Sequence, residues 1–401
     1  MRRIVAWRSG PTAPALLCLV LTALLLLGTP PARAGTGTAA VVGPSACALP
    51  GTTGWTDEGH GTDRSVFQRS TGTIRVAMVF VDFPDAPATE SPASVGARIT
   101  PGADWMWNAS YGKVWPSITP YQRWVRMPQR STDYGFARGL THETHEAYLK
   151  DAVAAADPYV DFSRHDMVYV VPTRNASAIS FSPTYIYEPG TRGVVADGSR
   201  MKWAVTFGQD MWRWDQRLVG HETAHTFGLP DLYAFDAGSD AHRFTGGWDV
   251  MGLIGGAGPQ YFGWHSWKLG WTDDDQVLCR ASRGSDTVRL TAVAYHTGTK
   301  IAVIRTGPTT AYVVESRRAV NTDAGARSTG ALVYKVDSSV PTGEGPVRVM
   351  DAHPHTTPAG GRPLDDAPFR AGQSFTDHFA GVRVEVLSSD GSGDTVRVTK
   401  R

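Results

Sequence analysis

The chain contains the stretch VGHETAHTFGLPDLY at residues 219–233. On a helix, residues four positions apart lie on one face, so His221 and His225 can direct their imidazole rings at the same metal ion. Glu222 lies one position further round, where its carboxylate can take a proton from a water beside the ion without binding the ion itself. The stretch therefore predicts a helix that carries a catalytic zinc site.

The residues after His225 predict where this helix ends and what completes the site. Gly228 permits the positive φ that turns the chain back, and Pro230 prevents the helix from continuing. Asp231 is then delivered toward the same ion as a third ligand, through a carboxylate oxygen. Two imidazoles and one carboxylate leave a fourth tetrahedral position for water, which is typical of a catalytic zinc ion and not of a structural one.

Further along the chain, the glycine-flanked turn GGWDVMG at residues 246–252 presents Met251. Two interpretations stay open: the methionine is an ordinary core residue in a tight loop, or it forms a hydrophobic floor beneath the metal histidines. Tyr261 and His265 follow within an aromatic segment. Either can donate a hydrogen bond to a developing oxyanion, and either can equally be a satisfied core residue.

The N-terminal segment has the pattern of a secretory signal peptide at residues 1–34. Three arginines within the first eight residues precede an apolar run at residues 15–27, and small residues follow up to Ala34. The run is shorter than the roughly 20 residues that a membrane-spanning helix needs. We therefore expect a secreted, extracellular protein with no membrane anchor after signal cleavage.

Cysteine usage is compatible with that compartment. Cys18 lies in the predicted signal peptide, so Cys47 and Cys279 remain in the mature chain. A single disulfide between them is the first prediction, because extracellular compartments permit disulfides. In the alternative, a thiolate at Cys47, near the mature N-terminus, binds the active-site metal and keeps a zymogen inactive.

Apolar periodicity predicts an α/β (α+β) domain at residues 71–275, after a Gly- and Thr-rich linker or pro-segment at residues 35–70. Buried-strand patterns at residues 74–82 and 167–171 are typical of a mixed sheet. The other elements expected in this domain are a short helix capped by Ser91, a helix at 105–111, extended chain at 113–127, a helix at 143–156, an edge or hairpin strand at 199–207 and the site helix at 210–227.

Residues 276–401 have a different pattern, with short alternating runs that turn residues separate. This pattern predicts an all-β, sandwich-like C-terminal domain. The runs lie at residues 288–290, 301–305, 311–315, 331–336, 382–387 and 395–399.

Composition and motifs exclude several classes of function. The 39 basic and 38 acidic side chains nearly cancel and form no long runs, which argues against a nucleic-acid partner. The chain contains neither a G-x-S-x-G motif nor a phosphate-binding G-x-x-x-x-G-K-[ST] loop, which argues against a serine hydrolase or a nucleotide enzyme. The histidine-rich segment at 142–146 has the wrong spacing for a metal site and is interpreted as a solvated helix start. Two acidic pairs, Asp82 with Asp85 and Asp365 with Asp366, leave Ca²⁺ open as a further metal, although their spacing matches no calcium motif.

With these residues in view, the chain resembles the immune inhibitor A family of secreted bacterial zinc metallopeptidases over residues 70–340. The resemblance is carried by VAMVFVDFPD (76–85), SYGKVW (110–115), HETAHTFGLPDLY (221–233), GGWDVMG (246–252), the W-x-x-W-K-L-G-W stretch that ends at Trp271, and VVES followed by GALVYKVD (330–337).

The resemblance implies a zincin-like catalytic domain in which His221 and His225 bind one Zn²⁺ ion and Glu222 is the general base. Asp231 occupies the third-ligand position of the metzincin pattern H-E-x-x-H-x-x-G-x-x-[H/D], with Asp236 and Asp249 as alternatives. Leu253 stands two residues after the turn methionine, where metzincins have a tyrosine donor.

We therefore expect a monomeric, secreted zinc endopeptidase that hydrolyses protein or peptide substrates. The alternative from another class is a zinc-stabilised extracellular adhesin or glycan-binding protein without proteolytic activity. The two hypotheses differ in their need for Glu222, because a purely structural site has no use for a carboxylate beside an open coordination position.

Overall fold

The computed structural model describes residues 43–52, 55–214, 216–236 and 240–401. The predicted signal peptide at 1–34, with Cys18, lies outside these ranges. The described residues belong to one compact unit with a mixed α/β fold that contains more strand than helix.

The N-terminal part is built on a five-stranded sheet. Its strands and the neighbouring hairpin are β1 (Gly72–Asp82), β2 (Val114–Arg126), β3 (Met167–Pro172), β4 (Thr184–Ile186), the hairpin pair β5 (Val194–Ala196) and β6 (Ser199–Met201), and β7 (Trp203–Thr206). The order in the sheet is β2-β1-β3-β7-β4. β4 pairs antiparallel with β7, whereas the other neighbouring pairs are parallel. The sheet is therefore mixed, as predicted.

Helices cover both faces of this sheet. The helices of the N-terminal part are α1 (Pro92–Gly96), α2 (Pro101–Ala109), α3 (His142–Ala156), α4 (Met211–Trp214), α5 (Gln216–Thr226) and α6 (Gly263–Lys268). Alternate residues of β1 enter different cores: Val76 and Met78 pack with α2 and α5, whereas Ala77 and Val79 pack with α3. Burial on both faces explains the continuous apolar run of β1.

The predicted edge or hairpin strand at 199–207 is confirmed in its first part and wrong in its second. It divides into β6, which forms a hairpin with β5, and β7, which lies inside the sheet between β3 and β4. The three-residue strand β4 covers the edge of β7, and so short a strand has no recognisable alternation in the sequence.

The C-terminal part contains two facing sheets. Their strands are β8 (Val277–Arg280), β9 (Gly284–Thr291), β10 (Ile301–Arg305), β11 (Thr310–Arg317), β12 (Gly330–Asp337), β13 (Val347–Met350), β14 (Ser374–Asp377), β15 (Val382–Asp390) and β16 (Gly393–Lys400). The orders are β13-β12-β11-β10-β8 and β14-β15-β16-β9.

The five-stranded C-terminal sheet is buried on both faces. On β11, Tyr312 and Val314 enter the core shared with the four-stranded sheet, whereas Ala311 and Val313 enter the core shared with the N-terminal part. This second core also contains Leu218 of α5. A change of sheets thus marks the expected boundary at residue 275, but the hydrophobic core continues across it.

The N-terminal segment is fastened to both parts. Cys47 and Cys279 form a disulfide that joins this segment to β8, as the first of the two alternatives predicts. The sulfur of Cys47 is therefore not available as a metal ligand. In the stretch interpreted as a linker or pro-segment, Leu49, Glu58 and Phe67 are buried.

Candidate metal centre

Close helix packing fixes the position of α5, which carries the HETAH segment. A Cβ added at Gly220 would lie 2.3 Å from the ring of Trp105 in α2, so only glycine permits this approach. α5 ends at Thr226, and Gly228 follows with φ +96°. The chain turns here and brings Asp231 back to the two histidines of α5, as Gly228 and Pro230 predict.

Three side chains converge beside α5. Nε2 of His221 and Nε2 of His225 are 3.3 Å apart, and Oδ1 of Asp231 lies 3.2 Å from each of them. Among the described residues, this is the only group of three or more His, Cys, Asp or Glu side chains placed to hold one metal ion. We refer to these three residues as the metal cluster.

The dimensions of the metal cluster fit three ligands of a tetrahedral ion. For metal–ligand distances near 2.0 Å, neighbouring ligand atoms are about 3.3 Å apart. In addition, Oδ1 of Asp231 is buried, and although both Nε2 atoms lie 3.2 Å away, it has no well-aligned hydrogen bond among the described residues. A buried carboxylate oxygen without a hydrogen bond is costly unless a cation or an equivalent partner satisfies it.

Backbone carbonyls orient both imidazoles. Nδ1 of His221 donates to the carbonyl of Val250 at 2.9 Å, and Nδ1 of His225 donates to the carbonyl of Leu229 at 2.8 Å. These bonds leave both Nε2 atoms directed at the centre of the cluster, which is how proteins commonly hold metal-binding histidines.

Contacts from the C-terminal part hold the third residue. The backbone N–H of Asp231 donates to Oγ1 of Thr342 at 3.0 Å. The two alternative third ligands are engaged elsewhere, because Asp236 pairs with Arg243 and Asp249 is buried in another cluster. The structure therefore brings only Asp231 to the two histidines.

Glu222 lies beside the metal cluster without joining it. Its Oε1 is 4.0 Å from Nε2 of His221, and its Oε2 accepts a hydrogen bond from Oγ1 of Thr184 at 2.9 Å. Burial raises the pKa of Glu222 to about 7, because the neutral form is favoured away from water. A carboxyl group with this pKa can both accept and return a proton near neutral pH.

The metal cluster is strongly coupled electrostatically. Burial alone would lower the pKa of His225, but the adjacent Asp231 carboxylate raises it to about 9. Burial would likewise raise the pKa of Asp231, but the neighbouring His225 and His221 hold it well below its ordinary range. The carboxylate thus remains ionised, which is the form that binds a metal, whereas His225 must release its proton before it binds one.

The glycine-flanked turn is hydrogen bonded to the metal cluster through its backbone. Met251 is fully buried, and its carbonyl accepts a hydrogen bond from the backbone N–H of Leu232, next to Asp231. The residue before it, Val250, accepts the hydrogen bond from His221. The turn is therefore hydrogen bonded to His221 and to the residue that follows Asp231.

Tyr261 and His265, each open to two interpretations in the sequence, do not reach the metal cluster. The hydroxyl of Tyr261 donates to the carbonyl of Gly220 at 2.8 Å. His265 is completely buried between Asp249, 2.8 Å from its Nδ1, and Glu58, 3.1 Å from its Nε2. Neither side chain lines the cavity beside the metal cluster, so of the two alternatives the structure favours satisfied core residues over oxyanion donors.

Glu58, Asp249 and His265 form a second group, which we term the closed cluster. Burial alone would lower the pKa of His265, but the Glu58 and Asp249 carboxylates raise it to about 10. Asp249 also accepts hydrogen bonds from the backbone N–H groups of Met251 and Phe262. The closed cluster thereby connects the N-terminal segment to the methionine turn.

A cavity of about 330 Å³ opens onto the metal cluster and Glu222. Its other lining residues are Trp55, Thr56, Arg138, His142, Phe181, Ser182, Pro183, Thr184, Ile186, Tyr233 and Thr342. Apart from Tyr233, these residues lie outside the conspicuous sequence stretch. Their spacing in the sequence does not predict a common site, because they come from four separate segments of the chain.

The histidine-rich segment at 142–146 begins α3 but is solvated only in part. Nε2 of the buried His145 hydrogen bonds with Oγ1 of Thr206 at 3.0 Å. The buried carboxylate of Glu146 accepts a hydrogen bond from Tyr185 at 2.8 Å. The prediction of a solvated helix start is wrong for these two residues, because β4 and β7 supply buried polar partners.

The acidic pairs do not form calcium sites in the described part of the chain. Asp82 binds Arg126 through both carboxylate oxygens, and Asp85 accepts two hydrogen bonds from Ser131. Asp365 pairs with Arg327 at 3.3 Å. These carboxylates, with Asp366 beside Thr356, are held by separate protein partners and do not converge.

No protein-family model matches the chain, and no curated protein matches it. Within the described ranges, no helix combines the length and apolar character needed to cross a membrane.

Proposed function

We propose that this protein is a secreted zinc-dependent endopeptidase with a zincin-like catalytic part. The observation that carries the proposal is the convergence of His221, His225 and Asp231 at 3.2–3.3 Å, with Glu222 beside them and a cavity in front. This arrangement combines three ligands, an uncoordinated carboxylate and access for substrate. The motif resemblance to the immune inhibitor A family supports the same function.

The residues would divide the chemistry among them. A zinc ion held by the metal cluster would supply Lewis acidity, lowering the pKa of water and polarising a peptide carbonyl. Glu222 accepts the proton of the attacking water and later returns it to the leaving amine. Thr184 holds Oε2 of Glu222 and thereby orients the carboxylate. Tyr233, which lines the cavity, is the candidate donor to the developing oxyanion in place of Tyr261 and His265.

The position of β4 supports a peptide as the substrate. β4 ends the sheet, and Ser182, Thr184 and Ile186 from this region line the cavity. An extended peptide can add to such a strand edge through main-chain hydrogen bonds. A strand-like peptide lying along β4 would place its carbonyl groups next to Glu222, since Thr184 contacts that residue.

The test compares two substitutions that act on different steps. Glu222→Gln should retain zinc and lose cleavage of casein by at least about a hundredfold, because only the general base is removed. His225→Ala should lose both zinc and cleavage. Zinc content by metal analysis and cleavage by zymography, with and without a chelator, measure these outcomes.

Cleavage by Glu222→Gln at the parental rate would reject the mechanism. A protein that binds zinc but cleaves no protein or peptide would favour the adhesin or glycan-binding alternative.

A further inference from the structure

Apart from the histidines, three side chains that line the cavity are charged, and only two of them belong to the proposed catalytic site. Glu222 and Asp231 are the only acidic side chains among the described lining residues, and both belong to the proposed catalytic machinery. The other fully charged lining residue is Arg138. Two carboxylates would offset the two charges of a zinc ion, which leaves the Arg138 guanidinium without compensation.

Arg138 stands at the rim of the cavity, in the exposed segment that precedes α3. Its guanidinium carbon lies 5.9 Å from the ring centroid of Phe181, and its side chain lies beside the hydroxyl of Tyr233. Among the described residues, no carboxylate forms an ion pair with it. The aromatic neighbours hold the cation next to the space that a substrate would occupy.

We propose that this cavity selects peptides that carry a carboxylate close to the bond to be cut, and that Arg138 binds this carboxylate. The inference rests on the proposed peptidase function and adds the chemical class of its substrate. A guanidinium presents paired donors that match both oxygens of a carboxylate, which a single ammonium cannot do. An acidic side chain or the C-terminus of a short peptide provides the same group.

The expected preference is moderate. Exposed ion pairs contribute little, whereas bidentate pairs shielded by protein contribute more. Arg138 is exposed before substrate binds and would be partly covered afterwards. We therefore expect the parent to prefer an acidic peptide over its lysine counterpart by about tenfold in kcat/KM, with repulsion of lysine adding to attraction of the carboxylate.

The experiment measures a ratio within each protein, so that a general loss of activity has no effect on it. Peptides of one parent sequence carry Glu, Gln or Lys next to the cleaved bond, each with a free or an amidated C-terminus. Arg138→Gln should reduce the Glu-to-Lys ratio to near unity, and Arg138→Glu should reverse it. Arg370→Glu is the matched control. It changes the net charge by the same amount, but Arg370 is an exposed residue that does not line the cavity.

A ratio near unity in the parent, for both the side chain and the C-terminus, would overturn the proposal. So would a parental ratio that persists in Arg138→Gln. A preference that follows the internal Glu identifies an acidic side chain as the ligand, whereas one that disappears on amidation identifies the C-terminus.

A second measurement separates this inference from the proposed function. The same peptides are titrated into Glu222→Gln by calorimetry, which reports binding without turnover. In Glu222→Gln, the peptides with a carboxylate should bind more tightly than the lysine peptides, and adding Arg138→Glu should abolish this preference. That result supports the inference even if no variant cleaves any peptide. Equal binding of Glu and Lys peptides would overturn it.

Discussion

The metal cluster and the closed cluster both contain histidine and carboxylate side chains, but the polar atoms of these side chains differ in their hydrogen bonding. In the metal cluster, Oδ1 of Asp231 has no well-aligned hydrogen bond among the described residues, and a cavity adjoins it. In the closed cluster, His265 is completely buried and both of its ring nitrogens face carboxylates. Of the two clusters, only the metal cluster therefore combines a carboxylate oxygen that lacks a well-aligned hydrogen bond with an adjoining cavity, and the proposed function depends on this difference.

The two clusters are linked through a few backbone bonds. Asp249 accepts the N–H of Met251, and the preceding carbonyl of Val250 holds His221. The closed cluster can therefore act as a rigid foundation for the metal cluster without touching a ligand. The following predictions separate the chemistry of one cluster from the stability supplied by the other.

The largest difference is expected between two Asp→Asn substitutions. Asp231→Asn should weaken zinc binding by more than about a hundredfold, because a charged ligand is lost and even an outer partner contributes 10–100-fold. Asp249→Asn should instead lower the free energy of unfolding by about 3–5 kcal/mol, because the charge of His265 loses a buried partner. Competition with a zinc chelator and urea denaturation measure the two effects. Parental zinc affinity in Asp231→Asn would reject this residue as the third ligand.

Removal of the disulfide should affect stability alone. The Cys47–Cys279 bond closes a separation of 232 residues and fastens the segment that carries Glu58. The double substitution Cys47→Ser with Cys279→Ser should lower the free energy of unfolding by about 2–5 kcal/mol. Zinc content below the unfolding temperature should equal that of the parent. Loss of zinc with unchanged stability would contradict the separation of the clusters.

Because of the closed cluster, the free energy of unfolding should fall as the pH rises above neutrality. The pKa of His265 is raised from its ordinary 6.5 to about 10, so the folded protein holds this proton more tightly than the unfolded chain. The resulting stabilisation is complete below about pH 6.5 and is lost as the pH rises to 10, by at most about 1.4 kcal/mol per pH unit. Urea denaturation of the parent and His265→Gln at pH 7, 8 and 9 should give a difference that shrinks with pH. A constant difference would show that His265 is not protonated in the fold.

The smallest effect is expected at Thr184. Thr184→Val removes the hydroxyl that donates to both Oε2 and the backbone carbonyl of Glu222, and should lower kcat about fivefold, corresponding to about 1 kcal/mol. Thr184→Ser keeps the hydroxyl and is the matched control. Zinc content should be the same in both variants. An equal loss of activity in both would assign the effect to packing rather than to the hydrogen bond.

Much of the fold could be predicted because its signals are local. The buried strands β1 and β3, the helix α3 and the strand at 301–305 were expected from apolar patterns and are confirmed. β4 could not be predicted, since three residues are too few to show a period. Yet β4 supplies Thr184 to the candidate site and ends the sheet beside the cavity.

The chain order alone determines the pairing of His221 with His225 and the return of Asp231, because helical spacing and a glycine-proline turn act over a few residues. Tertiary structure decided which other polar residues belong to the site. His265 and Tyr261 lie close in sequence to the methionine turn but are buried elsewhere, whereas Thr184, Arg138 and Thr342 arrive from distant segments. Contacts of this kind depend on how sheets and loops pack in three dimensions, and local residue patterns carry no record of that packing.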